Sequence, residues 1–113
     1  MMKYSRKNEH GVYIDREYIT LWRKGSNFFG VQIAFTLGGY RGTLHYRYKT
    51  RGSQAPIMNM DVPYNSKELC IYKIIRDAYI RHNNDYYRKY EPKIIEILRR
   101  IMEKYQNQQL ELF

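Results

Sequence analysis

The strongest constraint in this chain is a run of period-two alternation interrupted by two adjacent glycines. Phe29, Val31, Ile33, Phe35 and Leu37 fall on one side of an extended segment, and Phe28, Gly30, Gln32, Ala34 and Thr36 on the other. After Gly38-Gly39 the alternation resumes, with Tyr40, Leu44, Tyr46 and Tyr48 on one side and Arg41, Thr43, His45, Arg47 and Lys49 opposite. Side chains alternate faces along a strand, and paired glycines accept the positive φ angles of a type I′ turn. The pattern predicts an antiparallel hairpin with one buried face and one wet face.

The flanks supply the rest of a small domain. Residues 12–24 carry Tyr18, Ile19, Leu21 and Trp22, a β-branched and aromatic run that predicts a first strand with a bulge or an early break. Gly25-Ser26-Asn27 is turn chemistry, and residues 50–64, with Gly52, Pro56 and Pro63, predict a long loop. Asn65 or Ser66 caps a helix, and with Asn65 as the cap Glu68 holds the capping-box position. Leu69, Ile71, Tyr72, Ile74, Ile75, Ala78 and Tyr79 give that helix a broad apolar face. Pro92 suits the first turn of a second helix, whose stripe is Ile94, Ile97, Leu98, Ile101 and Tyr105. Residues 86–91 are an extra turn or part of that helix beyond a kink. The expected fold is α+β: a three-stranded antiparallel sheet followed by two helices packed on one face. It spans residues 11–105, after a flexible basic arm at 1–10 and before a polar tether and tail at 106–113.

At 113 residues the chain is sized for one domain. Cys70 is its single cysteine, and His10, His45 and His82 are too far apart in sequence to suggest a metal cluster. Gly38-Gly39 lacks the Lys-Ser/Thr of a phosphate loop, and no Gly-x-Ser-x-Gly elbow occurs. Cys70 falls near the apolar sector of its helix and reads as a small core residue; the three histidines read as surface or capping groups. The sequence therefore predicts a non-enzymatic protein without cofactor or metal. No apolar run approaches the roughly 18 residues of a membrane span, and the basic N-terminus lacks the apolar stretch of a signal peptide. A cytoplasmic protein with no membrane partner is the expectation.

Charge and rings point to a partner. The net charge is +9, with thirteen Tyr, four Phe and one Trp. Cations interleaved with aromatics suit phosphates and bases. On the polar side of the second hairpin strand, Arg41, Thr43, His45, Arg47 and Lys49 form the expected contact surface. Lys24 and Arg51 lie near the strand ends, and Arg6 and Lys7 in the arm. DNA is the expected ligand, RNA less so. Tyr40-Arg41-Gly42-Thr43 and Asn65-Ser66-Lys67-Glu68-Leu69, in a layout of three strands, a Gly-Gly hairpin and a helix, resemble the AP2-type and integrase arm-binding DNA domains. The resemblance covers residues 12–82 and implies a sheet laid in the major groove with a helix behind it.

The last five residues, Gln109-Leu110-Glu111-Leu112-Phe113, resemble the bacterial sliding-clamp-binding motif Gln-Leu-Ser/Asp-Leu-Phe, with Glu111 at the variable acid position. The resemblance implies that Gln109 anchors at a pocket mouth, Leu112 and Phe113 fill an apolar cleft, and Leu110 packs beside them. Leu112 equally continues the apolar stripe of Ile94, Leu98, Ile101 and Tyr105, so helix packing is the competing expectation. Richness in Lys, Ile, Asn and Tyr suits a low-GC bacterium or its phage or plasmid. A second function class follows from that setting: an antidefence, anti-CRISPR-like inhibitor that binds a host nucleic-acid-handling protein, with Gln54, Met58 and Met60 in its interface. A third is a structural domain whose charge serves solubility.

Overall fold

The computed structural model describes residues 3–111, with side chains over residues 3–107. Four strands, β1 (Glu17–Lys24), β2 (Asn27–Thr36), β3 (Gly39–Tyr48) and β4 (Arg51–Gln54), form one antiparallel sheet in chain order. Helices α1 (Lys67–His82), α2 (Asp85–Tyr90) and α3 (Pro92–Glu111) follow. The α+β class and the order of sheet then helices match the sequence reading, but the sheet has four strands rather than three. The extra one, Arg51-Gly52-Ser53-Gln54, pairs with residues 45–48 of β3 at the sheet edge. Its last three residues are exposed. A strand held by backbone hydrogen bonds with little of its surface buried needs no apolar alternation, so its sequence looks like loop.

The helix side of the sheet carries the main core. Phe29, Val31, Ile33, Leu44 and Tyr48 meet Cys70, Ile71, Ile75 and Ala78 of α1 and Ile94, Ile97, Leu98 and Ile101 of α3. Burial pushes the Cys70 thiol up to about 12, so it stays protonated as a packing group. Ser66, not Asn65, caps α1: its Oγ accepts the Leu69 N–H at 3.0 Å, which leaves Glu68 one position short of a capping box. Pro92 opens α3, where its missing N–H costs nothing. α3 then continues to Glu111, so the stretch read as a tether has helical backbone up to that residue. His82 is buried rather than a surface group, with its ring 4.6 Å from that of Tyr87 and its Nδ1 2.7 Å from the Ala78 carbonyl. No helix among the described residues is long and apolar enough to cross a membrane.

The turns also differ from expectation in detail. Thr36 pairs with Gly39, so Leu37-Gly38 makes the β2–β3 turn. Only Gly38 of those two has positive φ, at 99°, which suits a type II turn and not type I′. Tyr48 pairs with Arg51, so Lys49 leaves the strand and takes a left-handed φ of 56° in the β3–β4 turn.

The outer face is wet over only half its length. Residues 5–14 fold back as a short hairpin, and residues 55–61 run beside it. The Ser5 N–H donates to Phe35 O at 2.7 Å, Tyr13 N–H to Ile57 O at 2.9 Å and Asn59 N–H to Gly11 O at 3.0 Å. Tyr13, Ala34 and Ile57 form a second small core beneath this roof. Gln32, Ala34 and Thr36, expected on the wet side, are therefore buried.

Candidate nucleic-acid interface

The strand register arranges the outer face in cross-strand rows. Arg23, Phe28, Arg47 and Gly52 make the first; Thr20, Gly30, His45 and Gln54 the second; Tyr18, Gln32 and Thr43 the third. Ala34 and Arg41 make the next, under the roof. No outward-facing strand residue is an Asp or Glu.

The nine predicted contact residues separate widely. Arg41 donates from Nε to Asp61 O at 2.8 Å and from Nη1 to Leu37 O at 3.0 Å and to the Thr36 hydroxyl, bolting the hairpin tip to the roof. Thr43 donates its hydroxyl to Ala55 O at 2.7 Å and accepts from Gln32 Nε2. Both are structural. Arg6 and Lys7 belong to the roof itself. Arg6 forms a two-point pair with Asp15, at 2.9 and 3.0 Å, and that guanidinium draws the carboxyl down to about 2. Lys7 lies over the Tyr13 ring.

Lys49, predicted to share the strand's polar face, instead reaches Glu91 at 3.6 Å. Arg51 also faces the helix side, because it sits opposite Tyr48. Its Nη2 donates to the Tyr86 hydroxyl at 2.6 Å, and its Nε lies 4.0 Å from Glu91. Lys24 lies at a groove of about 560 Å³ between β1 and α3, beside Lys93 and Lys104. Only His45 and Arg47 remain on the open half of the outer face.

What joins them there is aromatic. Gly30 sits at the centre of the second row, beside the β1 bulge between Thr20 and Trp22. A Cβ at Gly30 would fall 2.4 Å from the Ile19 carbonyl oxygen, so the position must be glycine. Opposite Gly30, the His45 ring meets Tyr18 edge-on at 5.3 Å and Phe28 at 4.9 Å. Arg23 lies over Phe28 at 5.4 Å and Arg16 over Tyr18 at 5.9 Å. Partial burial under these rings pulls the His45 pKa below its ordinary value.

Gln54 Nε2, on β4, donates to the Tyr18 hydroxyl, on β1, at 3.3 Å. Those strands are three places apart in the sheet, or about 14 Å at ordinary strand spacing. Tyr18 therefore lies across the sheet instead of standing up from it, and it is 51% exposed. The Arg16 guanidinium shares that ring, and about half of the residue's surface stays open to solvent. Beside it, wrapping the β4 edge, is a shallow depression of about 550 Å³ lined by Phe28, His45, Arg47, Lys49, Arg51 and Gln54, so four of the nine predicted residues border it although Lys49 and Arg51 also reach Glu91.

No family model, curated protein or solved structure matches the chain.

The site thus has the rings and cations that the composition pointed to, but in another arrangement. Tyr18, Arg23 and Phe28 were absent from the predicted set. Phe28 was visible on the polar side of the β2 alternation. The bulge in β1 hid the partition of Tyr18 and Arg23, since it breaks the two-residue period between them. Gln109 and Leu110 lie on helical backbone, beyond the described side chains. Leu112 and Phe113 lie outside the described residues altogether.

Proposed function

We propose that this is a non-enzymatic nucleic-acid-binding accessory protein that contacts DNA through the open half of its outer sheet face. The observation carrying the reading is the row Arg23–Phe28–Arg47 beside Tyr18 and His45: two arginines with aromatic faces and no acid on the surface. Arginine supplies charge for phosphates and a flat group for bases, while the rings add apolar contact. Arg47 makes no hydrogen bond or ion pair among the described residues, so binding would sacrifice no existing partner. The test is an anisotropy titration with labelled DNA, single- and double-stranded, at about 50 and 200 mM salt. Binding should fall steeply with salt. The R23A/R47A double variant should keep its Tm, weaken binding at least tenfold and flatten the salt slope by about two. Absent or salt-insensitive binding rejects the reading.

The tail Gln109-Leu110-Glu111-Leu112-Phe113 supports recruitment to a bacterial sliding clamp as a second contact, on the strength of its sequence match. A competing reading, an inhibitor of a host nucleic-acid-handling protein, is favoured by apolar side chains at the far end of the molecule. Leu37, Met60 and Val62 are 77%, 78% and 63% exposed, and Arg41 ties Leu37 to the 58–62 loop. Exposed apolar groups gathered at one end suit a protein interface. Pull-down of the full chain from a bacterial lysate, with and without nuclease, separates these readings. Clamp captured through residues 109–113, with Tm unchanged by their removal, supports the first. A protein captured without them, and lost on Leu37→Ser with Met60→Ser, supports the second.

A further inference from the structure

We infer that the surface around Tyr18 is a stacking platform for an unpaired polynucleotide strand, and not a ribbon that reads the major groove of a duplex. The inference rests on the nucleic-acid reading above and narrows it to one class of ligand. In a duplex each base already stacks on its neighbours and offers a protein only its edges. An aromatic face finds a partner only in a base that has left the stack.

The face at this site is built, not accidental. Tyr18 is held down across the sheet by the hydrogen bond from Gln54. Its neighbour His45 meets it edge-on and walls one side of the ring. Phe28 lies beyond His45, flanked in the register by Arg23 on one strand and Arg47 on the other. Rings alternate with guanidinium groups across the sheet, so a strand crossing it would meet base-sized faces with phosphate partners beside them.

The shape of the surroundings agrees. The roof of residues 5–14 and 55–61 rises from the same face directly beyond Thr43, whose hydroxyl is bonded to Ala55. A rigid duplex laid along β2 and β3 would run into that wall. A single strand can cross the strands instead, over Tyr18, His45 and Phe28, with Arg23 and Arg47 at its flank.

The experiment uses the full chain and labelled oligonucleotides of about 15 nucleotides, near the upper site size of a small sheet domain. These are oligo-dT, oligo-U and a mixed-sequence duplex with its own separated strands. The separated strands should bind at least tenfold tighter than the duplex at the same salt. Tyr18→Leu should weaken single-strand binding at least fivefold, whereas Tyr18→Phe, which keeps the ring but loses the hydrogen bond from Gln54, should fall between Tyr18→Leu and the parent. Tyr18 is exposed, so both variants fold, and an unchanged Tm verifies it. Binding of either homopolymer supports the inference, and the ratio of the two identifies DNA or RNA as the source. Duplex binding equal to or tighter than single-strand binding, still weakened by R23A/R47A, overturns the platform and leaves the nucleic-acid reading standing. Single-strand affinity of Tyr18→Leu equal to that of the parent overturns it too. No binding of any oligonucleotide removes both.

Discussion

Arg41 and Arg47 stand six residues apart on the same face of the same strand, and they have opposite fates. Arg41 spends its donors on the Asp61 and Leu37 carbonyls and the Thr36 hydroxyl, under a roof made from both ends of the sheet region. Arg47 stands in the open beside Phe28 with its donors unspent. Around Arg41 the neighbours are buried: Ala34, Thr36, Gln32 and the Tyr13 ring beneath its guanidinium. Arg47 is exposed, and its row partner Phe28 is only half-buried. One end of the sheet face has become an interior, and the other is left for something else to cover. Polar residues at alternate positions thus say only that a face is not the main core. They do not say whether water or another segment of the chain lies above it.

The sharpest separation of the two ends is a pair of alanine variants. Arg41→Ala strips three acceptors of a charged donor in a partly buried place, and should cost about 2 to 3 kcal/mol, read as a lower midpoint in urea. Arg47→Ala should stay within about 0.5 kcal/mol of the parent, as exposed substitutions do. Oligonucleotide affinity should move the other way, falling for Arg47→Ala and holding for Arg41→Ala under conditions where the latter is folded. Equal stability losses would mean that Arg47 is also a structural group and that the open end is not free.

The parts visible in the sequence are those fixed by local chemistry. The β2–β3 hairpin follows from ten residues of alternation on each side of a glycine-bearing turn. The start of α3 follows from Pro92, and the packing of α1 and α3 from apolar stripes at helical spacing. What stayed hidden depends on contacts between distant segments. β4 is polar because it is a thin edge strand paired only to β3. The roof is invisible because Tyr13 and Ile57, forty-four positions apart, acquire a shared core only once the sheet exists to carry Ala34 between them. Without the roof, the two arginines of β3 cannot be told apart. The site was half visible for the same reason: Phe28, His45 and Arg47 obey the strand period, while Tyr18 and Arg23 lie on either side of a bulge that resets it.

A smaller effect tests the open end from within, through His45. Burial beneath Tyr18 and Phe28 holds its pKa below the ordinary value of 6.5 in the folded protein. Above pH 6.5 the ring is neutral in both the folded and unfolded chains, and it adds no pH dependence. As the pH falls through 6.5 the unfolded chain takes up the proton first, so stability declines until the pH passes the lower, folded value. Below that value the loss is complete. His45→Gln, which cannot titrate, should flatten the dependence of Tm on pH in this window. Phosphate contact imposes the opposite sign, because a protonated His45 adds positive charge to the platform in the row beside Arg23 and Arg47. Oligonucleotide affinity should therefore rise over the same interval in which stability falls, and His45→Gln should level both curves. No covered residue of this face can give that crossed response, since Gln32, Thr36 and Thr43 carry no titrating group. An affinity curve that stays flat while the stability curve bends would place His45 in the protein's packing alone, and would move the bound strand away from the second row.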